Sequence, residues 1–105
     1  MKVLDSSNFH DTIKASSNLV LVDFFADWCG PCKAVAPLLE TWDSLYSSLD
    51  VVKVDVDASV GLAQEFGISS IPTFKFFKEG ECVYTQVGMA QPSVLEGIIR
   101  TRLEQ

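Results

Sequence analysis

Two cysteines are the residues best suited to chemistry in this chain. Cys29 and Cys32 lie three positions apart in the run Trp28-Cys29-Gly30-Pro31-Cys32-Lys33. Cysteines at this spacing can close a small disulfide ring and open it again, so the pair is a candidate for redox chemistry. A structural zinc site is the alternative, but zinc usually takes four ligands. Cys82 and His10 are the only other cysteine and histidine, so we expect no metal site.

The segments on either side of the pair predict where its sulfurs lie. Residues 19–26 form an apolar run without alternation, typical of a strand buried on both faces, and residues 33–49 show helical spacing. The cysteines therefore lie where a strand ends and a helix begins. Free N–H groups and the positive dipole end at a helix N-terminus favour a thiolate. We predict that Cys29, at the helix mouth, is the nucleophile, and that Cys32, deeper and less exposed, is the resolving thiol.

The remaining periodicities predict an α/β fold. They indicate a strand at 3–4, a helix from Asp5 or Ser6 to about 14, a strand at 51–57, a weaker helix at 58–66, hairpin strands at 73–78 and 82–87, and a last helix starting at Pro92. Strands separated by helices imply parallel pairing, and the hairpin adds an antiparallel edge. We expect a central mixed, partly parallel sheet with helices on both faces.

Length, composition and charge narrow the class of protein. The chain has 105 residues, which suits one domain spanning residues 1–105. Its 48% hydrophobic and 21% charged residues are ordinary for a globular protein. The net charge of −6 argues against nucleic acid or an anionic membrane as a partner. No signal-peptide pattern is visible, and a thiol pair that cycles fits a reducing compartment such as the cytoplasm.

Several motifs, taken in this order, match one known family. They are Val22-Asp23-Phe24, Trp28-Cys29-Gly30-Pro31-Cys32, Ile71-Pro72-Thr73, Lys78-Glu79-Gly80 and Val87-Gly88. On these motifs the chain closely resembles the thioredoxin family, from about residue 3 to residue 103. Phe25 stands where some members carry a second tryptophan, and Cys82 lies outside the shared pattern.

The resemblance implies a thioredoxin fold and a protein-disulfide reductase. The Cys29 thiolate would attack a substrate disulfide, and Cys32 would then attack the mixed disulfide and leave a Cys29–Cys32 bond. No glycine-rich dinucleotide motif is visible, so no bound cofactor is expected. By resemblance, electrons come from NADPH through thioredoxin reductase, a flavin enzyme. The substrates would be diverse disulfide-containing proteins, and the chain a monomer.

Asp23 is a carboxylate within an apolar run, and Lys53 is its expected neighbour. Burial should raise the pKa of Asp23, and beside a dithiol the group could give and take protons as Cys32 cycles. The alternative is a structural aspartate paired with a backbone donor or a lysine. The resemblance implies that Lys53 approaches Asp23 and modulates it. From the residues alone, Lys53 belongs to a solvated polar strand face.

Pro72 and an apolar rim complete the predicted site. An X–Pro bond is cis in only about 5–6% of folded cases, but the resemblance implies a cis bond that turns the Ile71 backbone towards an extended substrate. An ordinary loop proline is the alternative. The implied fold would also gather an apolar rim, a typical interaction surface, although Met89 could instead be core. The rim residues are Trp28, Gly30, Pro31, Ile71, Val87, Gly88 and Met89.

Two other functions are also compatible with the sequence. An oxidase or isomerase domain would share the fold, but Gly30 and Pro31 are reductase-like, and no histidine stands beside Cys32 to stabilise a thiolate further. A non-catalytic interaction module would use the rim alone. We expect Cys82 to serve as a small hydrophobic residue on an edge hairpin. The alternative is a thiol that regulates the protein or forms a dimer.

Overall fold

Strands and helices follow one another in the predicted order. A computed structural model describes all residues from Met1 to Gln105. Its elements are β1 (Lys2–Leu4), α1 (Phe9–Ala15), β2 (Leu19–Phe25), α2 (Gly30–Leu45), β3 (Leu49–Asp55), α3 (Val60–Glu65), β4 (Thr73–Lys78), β5 (Glu81–Val87) and α4 (Pro92–Leu103). None of the four helices has the length and hydropathy that a membrane span requires.

The five strands form one mixed sheet in the order β1-β3-β2-β4-β5. β3 pairs in parallel with both β1 and β2, whereas β4 runs antiparallel to β2 and β5 antiparallel to β4. Sequential βαβ connections produce the parallel half, and the 73–87 hairpin produces the antiparallel edge. The predicted partly parallel α/β fold is confirmed, with β2 at its centre.

Helices cover both faces of the sheet, and β2 is buried on each side. Leu19 and Leu21 pack with residues of α2 and α4, and we call this side the site face. Val20, Val22 and Phe24 pack with residues of α1 and α3, and we call this side the core face. Successive strand side chains point to opposite faces, so a centre strand covered twice needs an unbroken apolar run.

Helices α1 and α2 begin at positions other than those predicted. α1 starts at Phe9 because Asp5 closes a turn instead: its carboxylate accepts the Ser7 N–H at 2.9 Å, and its carbonyl accepts the Phe9 N–H at 2.9 Å. α2 starts at Gly30, earlier than the predicted Lys33. Cys32 therefore lies within the first turn of α2.

The boundary between α2 and β3 also differs from the prediction. The backbone of Tyr46 is extended, with φ −102° and ψ 101°, and the helix ends at Leu45. Leu49, predicted to be helical, opens β3 and pairs with Leu19. β3 ends at Asp55, because the Asp55 carboxylate accepts the N–H groups of the next turn. The apolar side chain of Leu49 fits both a helical and a strand pattern, and pairing with β2 is what places it in a strand.

Candidate active site

The two cysteines of the motif are bonded to each other at the start of α2. Their Cα atoms lie 5.3 Å apart. Cys29 is the N-cap residue of α2, with Pro31 in the first turn, where its fixed φ suits a helix start. The Cys32 N–H donates to the Cys29 sulfur at 3.2 Å. The predicted placement of the pair between a strand and a helix is found.

The expected difference in exposure between the two cysteines is wrong. Cys29 and Cys32 each retain 4% of their accessible surface. Because the sulfurs are bonded, they share one environment, formed with Ala26 and with the flanking Phe25 and Ile71. Hydrogen bonding distinguishes them instead, since only the Cys29 sulfur accepts a backbone N–H of the helix end.

Asp23 is fully buried on the site face, the side of the sheet that α2 and α4 cover. Its exposure is 0%, and neither carboxylate oxygen has a hydrogen-bond partner. Burial raises the pKa of Asp23 to about 6, and the positive charge of Lys53 offsets part of that rise. Neither a backbone donor nor a lysine hydrogen-bonds to Asp23 in this structure.

Lys53 is the residue opposite Asp23 on the neighbouring strand. It is half-buried and so does not belong to a solvated face. Its ammonium does not pair with Asp23 but lies 4.1 Å from the centroid of the Phe25 ring. Lys53, Phe25 and Cys32 all line a cavity of about 100 Å³, which has room for several water molecules. The same lysine thus lies opposite Asp23 and shares this cavity with Cys32.

Pro72 follows Ile71, which packs against the cysteine pair, and the Ile71–Pro72 bond is cis. Pro72 is buried, and its carbonyl accepts the Gly88 N–H at 2.8 Å. Gly88 has φ +77°, a conformation that glycine adopts without a steric cost. Ile71 packs against the two cysteines, and its own N–H and C=O form no hydrogen bond. An edge of free backbone therefore lies next to the disulfide.

The predicted rim residues come together around the pair. Trp28, Gly30 and Pro31 flank the cysteines in sequence and are exposed, and Ile71 touches the pair. The Gly88–Pro72 hydrogen bond brings the β5 end to the same place. Three large side chains stand out of this rim: Trp28 at 70%, Val87 at 60% and Met89 at 41% exposure. Core packing of Met89 is therefore excluded.

Sequence reasoning missed Asp57 as a residue of this site. The Trp28 indole Nε1–H donates to the Asp57 carboxylate at 2.8 Å. Asp57 was expected on a strand but lies in the turn after β3, where its own N–H donates to Asp55 at 2.9 Å. Trp28 follows β2 and Asp57 follows β3, and parallel neighbouring strands end at the same edge of a sheet. This placement is the sequence signal that could have identified Asp57.

Cys82 and His10 lie apart from this site. Cys82 is an exposed free thiol on the edge strand β5. It pairs with Phe77, whereas Val87, at the other end of β5, belongs to the rim. His10 contacts Glu65 at 3.1 Å on the surface beside α1. The structure therefore does not bring either residue to the disulfide.

Comparison with known proteins identifies the family. The family model described as Thioredoxin matches residues 1–101. Thioredoxin-1 of Schizosaccharomyces pombe is 45% identical, over 97% of this chain and 97% of its own length. Thioredoxin-2 of Pyricularia oryzae is also 45% identical over 90% of this chain, which matches 54% of that longer protein. A solved structure of Plasmodium falciparum thioredoxin aligns with a TM-score of 0.90 at 39% identity, covering 96% of this chain and 98% of that one.

These findings agree with the geometry of the site. Thioredoxin relatives are protein-disulfide reductases, and this chain holds the cysteine pair that such a reaction needs. The protein is a thiol–disulfide oxidoreductase that reduces protein disulfides and cycles between the dithiol and the Cys29–Cys32 disulfide. By its sequence, its fold and this bonded pair, the chain belongs to the thioredoxin family.

Proposed function

We propose that Cys29 is the nucleophile and Cys32 the resolving thiol of this reductase. The Cys29 thiolate attacks one sulfur of the substrate disulfide, which breaks that bond, forms a mixed disulfide and releases one substrate thiolate. Cys32 then loses its proton and attacks Cys29, so the substrate leaves with two electrons and Cys29–Cys32 is oxidised. The observation that carries this assignment is the Cys32 N–H directed at the Cys29 sulfur at the helix N-terminus, which favours negative charge on Cys29.

Asp23 is the proposed base for the second attack, and Lys53 its modulator. A general base works best when its pKa lies near the working pH, and the pKa of Asp23 is raised to about 6 by burial. Its oxygens are not committed to any structural hydrogen bond. Lys53 stands opposite Asp23 and also lines the cavity next to Cys32.

The rim and the Ile71 backbone form the proposed substrate-binding surface. An extended substrate segment can pair with the free N–H and C=O of Ile71 as an added strand. Apolar contact with the rim is not directional, which suits a reductase that acts on many different protein disulfides. Pro72 sets the position of Ile71, and Gly88 ties the β5 end to it. The rim members are Trp28, Gly30, Pro31, Ile71, Val87, Gly88 and Met89.

The oxidised pair must be reduced again by another protein. Thioredoxins carry no cofactor of their own and work with thioredoxin reductase and with disulfide substrates. We propose that electrons reach this chain from NADPH through a flavin-containing thioredoxin reductase. We further propose that residues 1–105 act as a single domain, as a monomer in the cytoplasm.

Insulin reduction with dithiothreitol tests the assignment of the cysteines. We expect Cys29→Ser and Cys32→Ser each to reduce turnover to the rate of dithiothreitol alone. Cys82→Ser is the matched control and should keep full activity, because its thiol is remote from the site. Trapping separates the two roles: only Cys32→Ser should accumulate a mixed disulfide with the substrate. Absence of any turnover that depends on the two cysteines would contradict the proposal and favour an interaction module.

A further inference from the structure

The buried carboxylate and the lysine opposite it do not pair, although their strands place them side by side. Asp23 and Lys53 are register partners on β2 and β3, and strands in a sheet lie about 4.8 Å apart. Their side chains leave the sheet on the same face. Both Asp23 oxygens nevertheless have no partner, and Lys53 is absent from the ion pairs of the protein. The ammonium therefore lies elsewhere than on the carboxylate beside it.

The Lys53 ammonium lies over the Phe25 ring. Phe25 follows Asp23 by two residues on β2, so it points to the same face and lies diagonally across from Lys53. The Lys53 Nζ lies 4.1 Å from the ring centroid, well inside the range of about 6 Å for a cation–π contact. The lysine therefore leans along the strands towards the cavity and away from the carboxylate beside it.

Asp55 lies two residues from Lys53 on the same face of β3 and opposite Phe25, but its carboxylate accepts the N–H groups of Asp57 and Ala58. The strands bring no second cation to this side of Asp23. β4 places Phe74 opposite Asp23, and α4 contributes the apolar residues Leu95 and Ile99 to this side. α2 brings Cys32 and Lys33 to the cavity, where Asp27 also lies. Lys33 and Asp27 are exposed, and Lys53 alone among the charged groups acts on the protonation of Asp23. The position of one ammonium group thus controls the charge environment of the carboxylate.

We propose that Phe25 is a positioning residue, whose ring holds the Lys53 ammonium off the Asp23 carboxylate and so keeps that carboxylate able to carry a proton. This inference deepens the role proposed above for Asp23 and rests on it for its functional meaning. A direct ion pair would favour the ionised form and weaken proton binding. The ring removes that contact while the cation stays close to Cys32.

Titration of Asp23 in the oxidised protein tests this inference, because disulfide-bonded cysteines do not titrate there. The probe is the ¹³C-labelled carboxyl carbon of Asp23 followed by NMR. Phe25→Leu removes the ring and keeps an apolar side chain, so the ammonium is free to approach the carboxylate. We expect proton binding by Asp23 to weaken about threefold, from the usual size of a cation–π contact. Phe25→Tyr keeps the ring and should titrate like the wild type.

A second background shows whether the ring acts through the lysine. Lys53→Met keeps the stem and removes the charge, so proton binding by Asp23 should strengthen. In that background, Phe25→Leu should have no further effect. If Phe25→Leu left the titration unchanged or strengthened proton binding, the inference would be wrong. It would also be wrong if the shift persisted with Lys53→Met, since the ring would then act through burial of Asp23.

The wild type offers a test that does not depend on how the variants fold. Protons held over the face of an aromatic ring resonate upfield, so the Lys53 ε-methylene protons should be shifted upfield of those of the other lysines. A Lys53 signal at the ordinary position would overturn the inference. Every one of these readouts is independent of catalysis. If Asp23 proved not to transfer a proton in turnover, the proposed function would fail while this positioning result stood.

Discussion

Val22 and Asp23 are adjacent on β2 and equally buried, but they affect the fold in opposite ways. Each has 0% exposure. Val22 points to the core face and packs among apolar side chains, where burial stabilises by about 25 cal/mol per Å². Asp23 points to the site face, where both of its oxygens lack a partner and burial is unfavourable. Both faces pack an apolar cluster, but the site face also buries an unpartnered carboxylate, which makes it less stable than it could be and places a titratable group next to the disulfide.

Aromatic packing widens the contrast between the two faces. On the core face, Phe9, Phe66 and Phe77 lie with ring centroids 5.3 to 5.9 Å apart, and Phe24 joins them at 5.9 Å from Phe66. On the site face, Phe76 and Tyr84 also meet ring to ring, at 6.1 Å, but beside the active site the Phe25 ring holds a lysine instead of another ring. Contacts between aromatic rings stabilise the fold, whereas the contact between Phe25 and Lys53 fixes the position of a charge.

Phe24→Ala should give the largest change in stability. It removes a fully buried ring of the core face, and such truncations lower the free energy of unfolding by about 3–5 kcal/mol. Urea unfolding measures the loss, and insulin reduction per folded molecule should stay near the wild-type value. Val87→Ala, on the exposed rim, is the control and should change stability by less than about 0.5 kcal/mol. Equal losses of unfolding free energy for the two variants would mean that the buried ring of the core face contributes no more to stability than an exposed rim side chain.

Asp23→Asn should change stability in the opposite direction, and only at higher pH. The pKa of Asp23 is raised from 3.8 to about 6 in the folded protein, so the contribution of Asp23 protonation to wild-type stability is fully present below pH 3.8 and is lost as the pH rises through 6. Asparagine does not titrate. Between about pH 3.5 and pH 8, the stability of Asp23→Asn relative to the wild type should therefore increase by about 3 kcal/mol.

Urea unfolding of the oxidised proteins at the two pH values measures this difference. Glu40→Gln, which changes an exposed carboxylate in the middle of α2, is the matched control and should show no such pH-dependent gain. A constant difference between Asp23→Asn and the wild type across this range would mean that Asp23 does not titrate with a raised pKa. Burial of the ionised Asp23 carboxylate would then not make the site face less stable than the core face.

The contrast between the faces was only partly predictable from the sequence. The unbroken apolar run of β2 predicted burial on both sides, because a strand covered by helices has no solvent face, and the carboxylate within the run marked Asp23 as unusual. Periodicity failed at Leu49, which suits a helix or a strand, and only its pairing with Leu19 decides between them. The equal burial of Cys29 and Cys32 follows from the bond between them.

Other features of the site depend on contacts between distant parts of the chain. The Trp28–Asp57 hydrogen bond joins residues 29 positions apart, and the place of Lys53 depends on a ring of the neighbouring strand. No local pattern encodes either contact. The cis form of the Ile71–Pro72 bond was expected from the family resemblance and not from the residues, because the intrinsic preference of an X–Pro bond is trans.

Asp23→Asn should also slow the second step of the reaction. A positioned general base typically contributes 10²-fold or more, so we expect attack by Cys32 to slow about 10²-fold at pH 7. The loss should shrink at alkaline pH, where hydroxide takes the proton of a thiol without help from Asp23. Stopped-flow tryptophan fluorescence with a disulfide substrate measures the rate.

The first step provides the internal control for this prediction. In a Cys32→Ser background, attack by Cys29 is the only step left, and adding Asp23→Asn should leave its rate unchanged. If the first step slowed as much as the second, Asp23 would act on the site as a whole and not as the base for Cys32. The chemistry of the site face would then have to be assigned to another group.

Asp57→Ala should produce the smallest effect, because it acts only on the edge of the rim. Asp57 accepts the Trp28 indole N–H at 2.8 Å and holds a side chain that is 70% exposed. Loss of a hydrogen bond worth about 0.5–1 kcal/mol would let the indole move and would raise the KM for a protein substrate about threefold, with kcat little changed. Asp57→Asn removes the same charge but keeps an oxygen acceptor, so it should bind substrate like the wild type. Equal effects of the two variants would assign the change to charge, and the rim would then recognise substrates electrostatically and not through a fixed apolar side chain.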